Sequence, residues 1–296
     1  MPKTRRSFLQ STATLAAGLT AAQAQAPASV QVPKVKFGKA EISRIVLGLN
    51  PLYGTSHFNR TYDTVMREWC TPAKVVEIMH RCVSYGINCY QFYYASRCLA
   101  DYERFRFEGG SMHLVVQASS DPGEIVKAVN PLAIYHAGEF TDNAWRDGKM
   151  DSVRDYCKKL RQLGVMVGVG SHIPEVLAKV EDDGWDVDFY AGCVYNRRRT
   201  PEEFRKLLGG ELPEMVNEVY LQGDPPRMYK VLKQTTKPCF AFKVLAAGRV
   251  RSPEAAFKLA FDSLKPYDCL FVGMFPRAKD EIKENAEIVS RILKTS

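Results

Sequence analysis

Eight short apolar runs, separated by stretches of helical spacing, constrain this chain more than any other feature. The runs are IVLGL (45–49), INCYQFYY (87–94), LVVQA (114–118), LAIYH (132–136), VMVGVG (165–170), VDFYAGCVY (187–195), CFAFKVL (239–245) and CLFVGM (269–274). Their hydrophobicity is continuous where a half-exposed strand would alternate, so they read as strands covered on both faces, as in a parallel sheet. Helical spacing fills 72–85, 149–163, 173–183, 201–221, 225–235, 252–263 and 279–294, and 95–111 is the least regular interval. In 149–163, Met150, Val153, Cys157, Leu160 and Leu163 recur on one face until Gly164 stops the helix. Eight strands alternating with helices over roughly 260 residues predict a single closed (β/α)8 barrel. No GxGxxG follows any strand, which weighs against an open dinucleotide-binding sheet.

Composition excludes several classes. The 296 residues are 46% hydrophobic and 25% charged, an ordinary globular balance. No apolar run is long enough for a multi-span membrane protein. The net charge of +8 invites a nucleic-acid partner, but Arg197, Arg198 and Arg199 form the only basic triple and no aromatic stripe accompanies it. The triple reads as a solvated loop, and no nucleic-acid partner is expected. The eight cysteines include no CxxC pair; buried thiols are expected, with one or two disulfides left open.

The start carries an address. Lys3, Arg5 and Arg6 precede Ser7, Phe8 and Leu9, then a weakly apolar stretch and small residues at Ala22, Ala24 and Ala26. This resembles a twin-arginine export signal spanning residues 1–24, cleaved after Ala24, with a linker at 25–33 and the barrel at 34–296. It implies delivery to a bacterial periplasm by the twin-arginine machinery, already folded, with no membrane anchor.

In a barrel, chemistry sits at the C-terminal ends of the strands. The residues placed there are Tyr53 and His57, Gln91 and Tyr93, Gln117, His136 and Glu139, Ser171 and His172, Cys193 and Asn196, Lys243 and Met274. His80 and His113 fall elsewhere, His80 on the exposed side of its helix, and both read as structural. His57, His136 and His172 share one rim, so a divalent metal is an alternative, with Glu139 or Asp142 adding oxygen ligands or a general base. Lys243, on an inner strand, is either a salt-bridged structural lysine or an amine nucleophile. Cys193 reads as core.

The segments KVKFGKAEISRIVLG, GINCYQFYY, AIYH, GVGSHIPEVL, DFYAGCVYN and VGMFPRAKDEIKENAEI, in this order, resemble the aldo/keto reductase superfamily over residues 34–294. The resemblance implies an N-terminal hairpin before the first strand, a tightly held NADP, and reduction of a sugar or small carbonyl compound. His136 matches that family's catalytic His. The remaining catalytic positions depart from it: Gln91 stands at the place of the Asp, Ser96 near that of the Tyr, and Gln117 at that of the Lys. Around the nicotinamide, Ser171 keeps the family's Ser, His172 replaces an Asn and Gly192 a Gln, with Asn196 nearby. Gly273, Met274, Arg277, Lys279, Glu284 and Asn285 resemble the pocket for the adenosine 2′-phosphate, where basic residues would pair with phosphate. The implied reaction is therefore an NADP-linked oxidoreduction with a substitute acid, drawn from Tyr53, Tyr93 or Tyr94, and with Lys243 replacing the lost Lys. The alternatives are a metal-dependent lyase, isomerase or hydrolase using His136 and His172, and a binding protein without chemistry.

Overall fold

The computed structural model describes residues 29–118, 120–213 and 218–294. The expected export signal and the first residues of the expected linker lie outside them. The chain opens with an antiparallel hairpin, β1 (Lys34–Phe37) and β2 (Ala40–Ser43). Eight parallel strands follow and close on themselves: β3 (Ile45–Gly48), β4 (Cys89–Tyr93), β5 (His113–Ala118), β6 (Ala133–His136), β7 (Met166–Ser171), β8 (Phe189–Cys193), β9 (Cys239–Phe242) and β10 (Cys269–Gly273). β10 pairs with β3, leaving no free edge. The protein is a (β/α)8 barrel with the expected N-terminal hairpin.

Eleven helices are described: α1 (Arg60–Trp69), α2 (Pro72–Ser84), α3 (Ser96–Phe107), α4 (Pro122–Val129), α5 (Gly138–Arg146), α6 (Met150–Gln162), α7 (Pro174–Asp182), α8 (Pro201–Leu208), α9 (Asp224–Gln234), α10 (Pro253–Ser263) and α11 (Glu281–Lys294). Six of the expected helices stand within two residues of their predicted ends. The seventh, 201–221, is cut to eight residues because Gly209 and Gly210 stop it. The irregular interval 95–111 holds α3, whose buried stripe is Cys98, Asp101, Tyr102 and Phe105. A buried aspartate in that stripe hides the helical period. Helices α1, α4 and α5 were not foreseen; α1 buries Met66 alone, so it carries almost no apolar signal.

Two packing layers hold the barrel. Outward-facing residues such as Ile45, Leu47, Val167 and Val169 pack under the helices. Inward-facing Val46, Val115, Tyr135, Phe189, Phe240 and Phe271 fill the interior. Phe240 and Phe271 stack at 4.6 Å, and the hairpin inserts Phe37 edge-on to Phe189 and Phe240 at 5.3 and 5.0 Å, plugging the N-terminal end. Each such ring, fully buried, contributes about 2–3 kcal/mol by area alone. All eight cysteines are buried and free, so the fold uses no disulfide. Among the described residues no helix is long and apolar enough to cross a membrane.

Candidate active site

The loops after β3, β8 and β9 converge over the C-terminal mouth. The described chain has five non-glycine residues at positive φ, and four of them lie in two of these loops: His57 (+56°), Lys243 (+66°), Ala246 (+49°) and Ala247 (+52°). Each such residue costs on the order of 1 kcal/mol or more, and such strain concentrates at functional sites.

At the end of β7, His172 turns toward the mouth, edge-on to Phe242 at 5.6 Å. Its Nδ1 donates to Asp142 Oδ2 at 2.7 Å, and its backbone N–H reaches the same carboxylate at 3.2 Å. Asp142 is wholly buried on α5 and also accepts from Ser171 Oγ at 2.5 Å. A carboxylate can only accept, so it fixes the His172 proton on Nδ1 and leaves Nε2 as the basic nitrogen. Gly138 makes the arrangement possible: a Cβ there would lie 3.2 Å from the Ser171 nitrogen and 3.3 Å from His172 Cε1. Burial lowers the basicity of His172; Asp142 pulls against it, and the charges of Arg197 and Lys243 add to the lowering.

A second network spans the mouth. Arg197 Nε donates to Glu218 Oε2 at 2.8 Å and Nη2 to Oε1; Tyr220 Oη donates to Oε2 at 2.7 Å. His57 Nδ1 meets Glu218 Oε1 at 2.7 Å, while Asn50 donates to its Nε2 at 3.1 Å. Burial alone would raise the Glu218 carboxyl, but the His57 hydrogen bond and the Arg197 charge outweigh it and hold it at about 2. Burial takes His57 the other way, down to about 4, against the pull of Glu218. Arg249 lies between the rings of Phe58 (4.7 Å) and Tyr220 (4.4 Å) and donates to the His57 carbonyl at 3.1 Å. Lys243 follows β9 instead of lying within it, and is half-buried. Burial and then the Arg197 charge push its amine down to about 7. Beside this network a cavity of about 370 Å³ is lined by Phe58, Asn59, Tyr62, Val65, Ala247 and Gly248.

Deeper inside, Gln91 Nε2 donates to Tyr135 Oη at 2.7 Å, and Tyr135 Oη reaches Gln117 Oε1 at 3.3 Å. The two glutamines standing at the family's Asp and Lys positions thus bracket a tyrosine hydroxyl.

Several expected site residues sit elsewhere. Tyr135 faces the interior, so its neighbour His136 points out of the barrel: Nδ1 lies 2.7 Å from Thr141 Oγ1, and the ring is edge-on to Tyr156 at 5.2 Å. Tyr53 is behind β4, its hydroxyl 3.3 Å from that of the outward-facing Tyr90. Tyr93 is on the rim, 45% exposed, and Tyr94 packs against the outer core. Ser171 is wholly buried, held by Asp142 and by the Ile173 backbone, off the mouth. Asn196 forms a turn, accepting from the Arg198 backbone at 3.1 Å. Glu139 is exposed and 3.6 Å from Arg198. The three rim histidines therefore do not converge, and among the described residues no group of three His, Cys, Asp or Glu could hold a metal.

The presumed phosphate pocket is also occupied by other bonds. Lys279 pairs with Glu284 at 2.6 Å, Asp280 accepts from Lys283 N at 3.1 Å, and Glu281 accepts from Phe275 N at 2.7 Å. Arg277 is exposed, whereas Met274 and Asn285 are buried. A Cβ on Gly273 would lie 2.8 Å from the Pro51 ring, although the glycine itself is exposed.

The basic triple is no solvated loop. Arg197 joins the mouth network, Arg199 is buried against Asp224 with Nη1 2.8 Å from Oδ2, and the half-buried Arg198 bonds Asn143. His80 is half-buried, 3.3 Å from Glu108, where the exposed helix face was expected. Sequence reasoning missed Glu218, Tyr220 and Arg249. The first two lay in a presumed helix, and a lone arginine after a strand carries no signal of its own.

No protein-family model matches the chain, and no curated protein matches it. Solved structures do. A truncated 3-deoxy-D-arabino-heptulosonate 7-phosphate synthase from Thermotoga maritima superposes with TM-score 0.53 at 13% identity, covering 90% of this chain and 92% of that one. A proposed aldo-keto reductase from Pseudomonas aeruginosa superposes with TM-score 0.53 at 13% identity, covering 93% and 99%. At such identities the likeness concerns the fold: this chain shares the (β/α)8 barrel of these proteins.

Proposed function

We propose that the chain is a barrel enzyme that moves a proton on a small carbonyl compound or sugar at the C-terminal mouth, with His172 as the proton carrier and Asp142 as the group that orients it. The observation carrying this reading is the buried Asp142–His172 pair at the end of β7. A neutral imidazole with one nitrogen fixed and the other free is a general base near neutral pH. The strained loops beside it support chemistry over a binding role alone.

The test is exchange of hydrogen for deuterium next to the carbonyl, followed by NMR over a panel of aldoses, ketoses and small aldehydes in heavy water. Exchange with at least one compound is expected, falling about 100-fold or more in His172→Gln. Unchanged exchange in that variant removes the assignment.

NADP-linked reduction, which the family resemblance implies, is the second reading. The Tyr135 hydroxyl between Gln91 and Gln117 favours it as a candidate acid. Against it, Ser171 is committed to Asp142 and Lys279 to Glu284, which leaves Arg277 as the one uncommitted basic residue of the six in the expected phosphate pocket. The residues present do not fit the nucleotide as that family holds it. Absorbance and mass of the denatured protein decide whether a nucleotide travels with the chain. Export remains part of the proposal, supported by Arg5 and Arg6 ahead of the small-residue stretch. N-terminal sequencing of periplasmic material tests cleavage after Ala24.

A further inference from the structure

Lys243 and Lys265 are both withdrawn from water, and they differ in what surrounds them. Lys265 is 9% exposed and looks structural: its Nζ donates to the Leu232 carbonyl and pairs with Asp268 at 2.9 Å. Lys243 has no hydrogen-bond or ion-pair partner for its amine among the described residues, although Glu218 is close enough to act on it electrostatically. A half-buried cation without a partner is unfavourable unless the group is needed in its neutral form.

The backbone points the same way. Lys243 is held at φ +66°, and its carbonyl accepts from Ala246 N at 2.7 Å, closing a turn in which Ala246, and Ala247 after it, are also left-handed. That turn leads into Ala247 and Gly248, which wall the 370 Å³ cavity. The local cations Arg197 and Arg249 are occupied, by Glu218 and by the aromatic pair respectively. Lys243 is thus an unpartnered amine on a strained turn that runs on into the cavity wall, with His172 within electrostatic reach.

We propose that Lys243 is a covalent catalytic residue, whose amine forms an imine with an aldehyde or ketone bound at the mouth. This deepens the carbonyl reading above and rests on it for the identity of the substrate. The step balances without an oxidant. The amine nitrogen bonds to the carbonyl carbon, and the carbonyl π pair moves to oxygen. The proton released from nitrogen passes by way of His172 to the resulting hydroxyl, which leaves as water. One amine and one carbonyl give one imine and one water. The imine then withdraws electrons from the adjacent carbon, which is what proton removal there requires. The depressed basicity of Lys243, near 7, supplies the neutral amine at physiological pH.

The experiment uses the full folded chain, glycolaldehyde as the carbonyl probe and borohydride to reduce any imine to a stable amine, with the adduct located by peptide mass mapping. Lys243 is expected to label at pH 7 roughly 100-fold faster than the exposed Lys149, because far more of its amine is neutral. Lys265 is expected to stay unlabelled. The labelling rate of Lys243 rises with pH through about 7 and then levels off.

Labelling of Lys243 no faster than that of Lys149 overturns the proposal, and this measurement on the unaltered chain stands even if Lys243→Met fails to fold. Where Lys243→Met folds, it loses the adduct. Two failures are separable. Deuterium exchange that depends on His172 but proceeds unchanged in Lys243→Met sinks the imine and keeps the carbonyl reading. A fast Lys243 adduct with no exchange on any compound does the reverse.

Discussion

The two ends of the barrel are built on opposite principles. The N-terminal end is closed by rings: Phe37 from the hairpin wedges between Phe189 and Phe240, and Phe240 stacks on Phe271. The C-terminal end carries a buried carboxylate under His172, an ion pair spanning two loops, and four of the five left-handed non-glycine residues. One end gains stability from packing; the other holds charge and strain that a stability-driven design would discard. The division matches the general separation of stabilising and functional faces in such barrels.

Changes at each end should therefore have separable effects, and the largest is expected at the plug. Phe240→Ala should destabilise the fold by about 3–5 kcal/mol in urea unfolding, while borohydride labelling of Lys243 in the folded fraction stays unchanged. Equal loss of labelling would show that the two ends are one unit. At the mouth, Asp142→Asn keeps the shape but removes the charge; a cost of about 1–3 kcal/mol follows from buried donors left poorly paired. The His172 pKa should fall further, since its favourable charge is gone, and NMR titration reads this directly. An unchanged titration would mean that Asp142 does not set the state of His172.

A smaller effect is expected at His136. Burial holds the His136 pKa at about 4 against 6.5 in the unfolded chain. Between those values the unfolded state binds the extra proton, so stability falls as pH drops from 6.5 toward 4. At most about 3 kcal/mol is at stake, by linkage. Urea midpoints at pH 7 and pH 5 measure the loss, and in His136→Gln the slope should flatten by that contribution.

The barrel itself was legible because each strand is buried on two faces and therefore spelled as an uninterrupted apolar run. The site was legible only in part, and the pair His136 and His172 shows why. Both close apolar runs, and both are 8% exposed. Strand parity decides between them: Tyr135 takes the inward position on β6, so His136 points out, whereas His172 lies one residue past β7 and turns in. A string of residues marks the end of a strand only to within a position or two, and one position reverses the side chain. Glu218 escaped for a different reason, and Lys243, although singled out, was assigned to a strand that ends before it. Their roles depend on loop paths, and loop paths here are set by left-handed residues that no periodicity announces.

The seam between β3 and β10 carries a further consequence. Arg44, just before β3, donates through Nε to the Asp268 carbonyl at 2.7 Å and through Nη1 to that of Pro266 at 2.6 Å, and its guanidinium covers Phe261 at 4.8 Å. The first barrel strand is thus latched to residues more than two hundred positions later. While a ribosome still holds the segment from Pro266 onward, β3 has a partner on one side alone, and the ring stays open. Synthesis of the last strand is what turns an open sheet into a sealed cylinder.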